Sequence, residues 1–239
     1  MFFVAIILFS TAWAQDEKWE DPKLNTAKDA RFMLPQEKAM IYELNRLRSD
    51  PPRYAKLFIA HRLAVANNIL RTEGKGVAHY SIKTSYDNSE VSRIDTIWHW
   101  VNEEEVHALQ TLYDTLMNLK PLPVLKPDEG IYKACIKHAK DQAPTGSVTH
   151  RGTDASWPWD RIGKYSPSMI DGNENLACCG GDKYAVRRIV LQLLIDEGIT
   201  NYGHRYNMLE AKWAYAACYM TRPGMLNNVW WIQNFGRKK

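Results

Sequence analysis

Apolar residues recur at helical spacing over several long stretches of the chain. Met40, Ile41, Leu44 and Leu47 lie three or four residues apart, which predicts a helix over about 35–48. Asp50-Pro51-Pro52 ends that helix and opens the next, since proline fits only a first turn. Ala55, Leu57, Phe58, Leu63 and Ala66 carry the second helix onward. Further helices are predicted over about 102–119 and from Pro127 to about Gln142, with "KPLPVL" extended between them because two prolines resist helix. The clearest stripe is Val186, Ile189, Val190, Leu193 and Leu194, within a helix predicted over 183–197. A short helix is expected near Trp157–Ile162. "ENLACC", "AYAACYM" and "NVWWIQNFG" read as strands, the last two joined by a turn holding Pro223-Gly224 and Asn227-Asn228. Helices with a few strands grouped late in the chain predict an α+β fold with a small, mostly antiparallel sheet. Residues 16–33 show no period and read as a loose arm. Residues 72–100, with scattered Gly, Ser and Thr, show none either and read as part of an insertion at about 62–101.

The first residues change the picture of where the protein works. "MFFVAIILFSTAWA" carries an apolar run, Phe2 to Phe9, of signal-peptide length and too short to span a bilayer. Ala12-Trp13-Ala14 follows as a cleavage site, although no Lys or Arg precedes the run. The expected organisation is a signal peptide (1–14), an N-terminal arm (15–33) and one domain (34–239), secreted or periplasmic/extracellular. No transmembrane segment is expected. The net charge of +4 comes from interleaved acids and bases, which argues against a nucleic-acid footprint. Four cysteines behind an export signal suggest disulfides. Cys178 and Cys179 are adjacent, so one of them is expected to reach Cys218, with Cys135 pairing with the other or staying a buried thiol.

Four ionisable residues stand out. Glu197 falls three and four residues beyond Leu194 and Leu193, so it continues the apolar stripe. A carboxylate there is costly unless it is paired. Either the helix ends at Gly198 and Glu197 turns to water, or it faces a polar cleft. His150 and His204 sit in the glycine-punctuated loops "VTHRGT" and "NYGHRYN", and Glu174 opens a strand. Each taken singly fits an ordinary structural role. No G-x-S-x-G, H-E-x-x-H or Walker loop is present.

Read in order, "IYELNRLRSDPPRYA", "PLPVLKPDEGIYKACIKHAKDQ", "THRGTDASWPWDRI", "GNENLA", "VLQLLIDEGITNYGHRYNML" and "VWWIQNFG" resemble the CAP superfamily, or SCP domains. The resemblance runs from about Leu34 to Gly236, interrupted at 62–101, and is most specific from His150 to Leu209. It implies a three-layer α-β-α sandwich whose central cavity holds two histidines and two acids. Carried over by motif, these are His150, Glu174 in "ENL", Glu197 closing the helix, and His204 in "GHR". The short stretch from Glu197 to His204 is similar to bacterial members, and the cysteines depart from the eukaryotic pattern. Two imidazoles can bind a divalent metal such as Zn²⁺ with carboxylates as ligands or orienters, which points to His150 and His204. The function expected is a secreted binding or interaction module. Its tetrad cleft would take a divalent metal or a small apolar ligand, and its partner would be a lipid-like molecule or an extracellular protein. A metal-dependent or His/Glu hydrolase and a structural envelope protein are the alternatives.

Overall fold

A computed structural model of the protein describes residues 19–74, 77–87, 90–146, 148–179, 186–221 and 229–239. The expected signal peptide and the turn at 222–228 lie outside the described residues. Helix α1 (Pro35–Ser49) is followed by α2 (Pro51–Tyr54), a π-helical turn (Ala55–Ile59) and α3 (Ala60–Glu73). Strands β1 (Val77–Asp87) and β2 (Glu90–Val101) then form an antiparallel pair of their own. After them come α4 (Glu103–Asn118), β3 (Lys126–Pro127), α5 (Glu129–Gln142) and α6 (Pro158–Tyr165). The chain closes with β4 (Met169–Cys179), α7 (Val186–Ile195), α8 (Gly203–Leu209), β5 (Tyr215–Met220) and β6 (Val229–Lys238).

The main sheet has the order β3-β5-β6-β4, with β3 parallel to β5 and the other pairs antiparallel. Side chains alternate across it, so successive residues of β4 face different helices. On one face Gly172 and Gly236 lie opposite each other. A Cβ at Gly172 would come within 2.6 Å of Ile162 on α6, and one at Gly236 within 2.8 Å of Ile131 on α5. The two glycines let α5 and α6 settle directly on the sheet. On the other face Gln233 reaches Met40 of α1, and α1 and α7 pack together there. The result is the α+β, three-layer arrangement expected from the sequence. Glu37 ties it together: its buried carboxylate accepts from Tyr132 of α5 and from the Met220 amide of β5.

Three departures have physical reasons. From Trp19 on, the arm is folded, not loose: Trp19, Leu24, Ala27, Ala30 and Met33 are buried. From Leu24 on these residues recur every third position, and the backbone closes i→i−3 hydrogen bonds from Leu24, Asn25, Lys28, Ala30 and Met33. That is the period of 3₁₀ geometry. Asn45 holds the arm by donating to the Leu24 and Leu125 carbonyls at 2.9 and 3.1 Å. Within the expected insertion, helix continues to Glu73, and residues 77–87 and 90–101 are the β1–β2 pair. The expected disulfide is not formed. β6 separates β4 from β5, so two strand spacings, about 9–10 Å, lie between Cys178 or Cys179 and Cys218. A bridge needs Cα atoms within about 7 Å. Cys135 and Cys218 are free thiols, and burial pushes both well above the usual thiol range.

Candidate functional site

β4 is an end strand of the sheet, and a cleft of about 660 Å³ runs along it, lined by His150, Glu174 and His204 among others. Two histidine–carboxylate pairs build its polar wall. In the first, Glu174, 2% exposed, places Oε1 3.1 Å from His150 Nδ1. Its Oε2 accepts from Arg161 Nη2 at 3.0 Å, and Arg161 also donates to the carbonyls of His150 and Ser156. Arg161, on α6, thus neutralises the buried carboxylate and fixes the loop that carries His150.

In the second pair, Asp196 Oδ1 lies 2.6 Å from His204 Nδ1. Asp196 Oδ2 accepts from the backbone amides of His204 and Arg205 at 2.9 and 3.4 Å, which caps the start of α8. The acid beside His204 is therefore Asp196 and not Glu197. Helix α7 ends at Ile195, and Asp196 takes a left-handed backbone, φ 56°. The apolar stripe cannot continue past that break. Glu197 turns outward, where its Oε1 accepts from Asn102 Nδ2 at 2.9 Å. Of the four expected tetrad residues, His150, Glu174 and His204 share the cleft, and Glu197 lies outside it.

The remaining letters of "GHRYN" hold His204 in place. Arg205 donates to the Leu194, Ile195 and Ala108 carbonyls and stacks 3.9 Å from the Tyr202 ring centroid, binding α8 to α7 and α4. Asn207 donates to Asn175 Oδ1 and to the Glu174 carbonyl, and accepts from Asn173. Asn175 in turn donates to the His204 carbonyl at 3.1 Å. Three consecutive residues of β4 thus fix both sides of the cleft. Among the described residues, the non-glycine positions with positive φ are Ala155, Asp196, Asn201 and Tyr202. All four sit in the two loops that present His150 and His204. Such strained backbone is held only where surrounding contacts enforce it, and it gathers at functional sites.

Sequence reasoning missed Asp196, Arg161 and His138. The signal for His138 was there: it extends the stripe Ile131, Ala134, Cys135 along α5. It is fully buried, its Nε2 lies 2.6 Å from the Thr149 carbonyl and 3.7 Å from Glu174 Oε1. Burial holds its imidazole below the ordinary histidine range, against the pull of the Glu174 charge and with the push of Arg161. Because the folded value is depressed, the unfolded chain takes the proton first as pH falls. The stability His138 contributes at neutral pH is therefore lost as pH drops below about 6.5 towards the folded value. The melting temperature should fall between pH 7 and 5, and His138→Gln, which can still donate to Thr149, should flatten that slope. An unchanged slope in His138→Gln would refute the assignment.

Fold and site together define an α-β-α sandwich with a cleft walled by two buried-acid–histidine pairs. Residues 118–235 match the sequence profile of the cysteine-rich secretory protein family, CAP, which is the family that the motifs in the sequence resemble. No curated protein matches the chain. Among solved structures, an outer surface protein from Borrelia burgdorferi is similar at 20% identity, covering 57% of this chain and 95% of that one, with a TM-score of 0.41. An extracellular protein containing an SCP domain from Bacillus anthracis is similar at 17% identity, covering 60% of this chain and 47% of that one, with a TM-score of 0.37. Among the described residues no helix is long and apolar enough to cross a membrane.

Proposed function

We propose that the protein is an exported binding module whose ligand-facing groups are the Nε2 atoms of His150 and His204. Export rests on the leader-like residues 1–14. One observation carries the binding role: each imidazole is anchored through Nδ1 to a buried carboxylate, and both line one cleft. That arrangement fixes ring orientation and leaves Nε2 to meet a ligand. Neither ring is hydrogen-bonded to a hydroxyl or thiol among the described residues, whereas nucleophilic catalysis needs such a partner.

The same groups bear on a divalent metal. No three described His, Cys, Asp or Glu side chains gather as a metal cage would. Glu174 and Asp196 already face Nδ1 atoms, so they orient ligands and do not serve as ligands themselves. An ion would be held by His150 and His204 Nε2, and completed by atoms of a bound molecule or solvent. A bound Zn²⁺ would polarise whatever oxygen completes its shell. Calorimetric titration with Zn²⁺ should show binding that weakens from pH 7.5 to 5.5, because protons compete for the same nitrogens. His150→Ala or His204→Ala should each weaken it at least about tenfold, and the double variant little further. Equal Zn²⁺ binding by wild type and the double variant would overturn the two-imidazole site.

A further inference from the structure

The cleft has a second wall that the histidine pairs do not use. Trp157 and Trp159 stack on each other, centroids 5.4 Å apart and planes 11° from parallel. They remain 41% and 51% exposed, and both line the cleft. Ile199 and Tyr206, 45% and 62% exposed, line it too. Four of the six exposed large hydrophobic residues of the described chain thus surround one opening. The platform is rigid. Trp157 caps α6, its amide donating to Asp160 Oδ2 at 2.8 Å, and Pro158 locks the turn between the two indoles.

Charge and polarity narrow the occupant. Among the described residues no Lys or Arg lines the cleft, so no permanent cation there selects an anion. Glu174 is neutralised by Arg161, and Asp196 is engaged by His204 and two amides, so no carboxylate is left for a cationic ligand. An alkyl chain would cover the imidazole Nε2 atoms without giving them a hydrogen bond, which is costly. The matching molecule is neutral, presents a flat C–H face to an indole and carries hydroxyls that both donate and accept. Aromatic faces are electron-rich and attract such C–H edges.

We infer that the cleft is a saccharide-binding site, with the Trp157–Trp159 stack as the platform for a pyranose ring and His150 and His204 Nε2 as hydroxyl partners. This inference rests on the binding role proposed above and names its ligand class.

The test is tryptophan fluorescence and calorimetry on the whole exported chain. The probes are chitotetraose, cellotetraose and maltotetraose at millimolar concentration, with phosphatidylcholine–cholesterol vesicles as the apolar arm. At least one oligosaccharide should give a saturable emission change. Trp159→Ala should weaken it about tenfold or more while moving the melting temperature by less than about 2 °C, since the ring is half exposed. His204→Ala should weaken affinity while keeping the emission change. Three outcomes would overturn the saccharide site: no response to any of the three sugars, sugar binding unaffected by Trp159→Ala, or vesicle binding lost in Trp159→Ala with no sugar response. Retained Zn²⁺ binding in any of these would leave the two-imidazole reading standing, and its loss would remove both.

Discussion

Arg48→Leu is expected to lower the unfolding free energy by about 3–5 kcal/mol. Arg48 is fully buried and makes four hydrogen bonds to backbone carbonyls far away in sequence. Nε donates to Pro123 at 2.9 Å, Nη1 to Met208 and Glu210 at 2.9 and 3.0 Å, and Nη2 to Trp213 at 3.0 Å. Burial lowers its pKa to about 10, with Glu210 opposing, so it stays charged at neutral pH. One guanidinium therefore joins α1 to the lead-in of β3 and to the exit of α8. Leucine fills part of the volume but leaves buried acceptors unpaired. Lysine keeps the charge but cannot reproduce the planar fork. Urea unfolding of wild type, Arg48→Leu and Arg48→Lys measures the effect, and both variants should be clearly destabilised, leucine more so. A loss below about 1 kcal/mol in Arg48→Leu would show that solvent or neighbouring donors replace the guanidinium.

Arg161→Leu should cost a similar amount, about 3–5 kcal/mol, for a different reason. It removes the cation beside the buried Glu174 carboxylate and the donors to His150 and Ser156. Most of the loss would come from stranding a charge in the interior, so the outcome depends on the partner. In Arg161→Leu with Glu174→Leu, the stranded charge is gone and part of the stability should return. A double-mutant cycle gives the coupling directly, and additive losses would mean that the two side chains do not depend on each other. The same double variant should lose ligand or Zn²⁺ binding, because His150 then has neither a carboxylate at Nδ1 nor an anchored loop.

Much of the scaffold was legible because burial follows a simple period. Met40, Ile41, Leu44 and Leu47 are all fully buried where their spacing placed them, as are Ile189, Val190 and Leu194 on α7. The arm was legible only at period three, through Leu24, Ala27, Ala30 and Met33, which a search for helical or strand periods passes over. The site was legible as far as one-dimensional motifs reach: His150, Glu174 and His204 carry recognisable neighbouring words. Glu197 against Asp196 turned on a single backbone angle. Both residues are acidic, both sit near the helix end, and side-chain spacing does not record where φ changes sign. Strand order was equally hidden. Cys178 and Cys218 look like partners along the chain, yet β6 lies between their strands, and their partners on it, Trp230 and Gln233, are three residues apart and so face opposite sides of the sheet.

The asparagine ladder on β4 has a consequence for how the cleft can vary. Asn173, Glu174 and Asn175 are consecutive, yet the outer two bind the α8 side while the middle one binds Arg161 and His150. A register slip of one residue against β6 would turn every one of them to the opposite face. Glu174 would be presented to α8 and an amide to Arg161, undoing both histidine supports at once. Gly172 would move as well, and a side chain would take its place against Ile162. Loops on either side of β4 can lengthen without touching this arrangement. A single-residue insertion within 172–175 cannot, so length variation that preserves the site should be confined to the connecting loops, while the strand itself acts as a gauge block of fixed length.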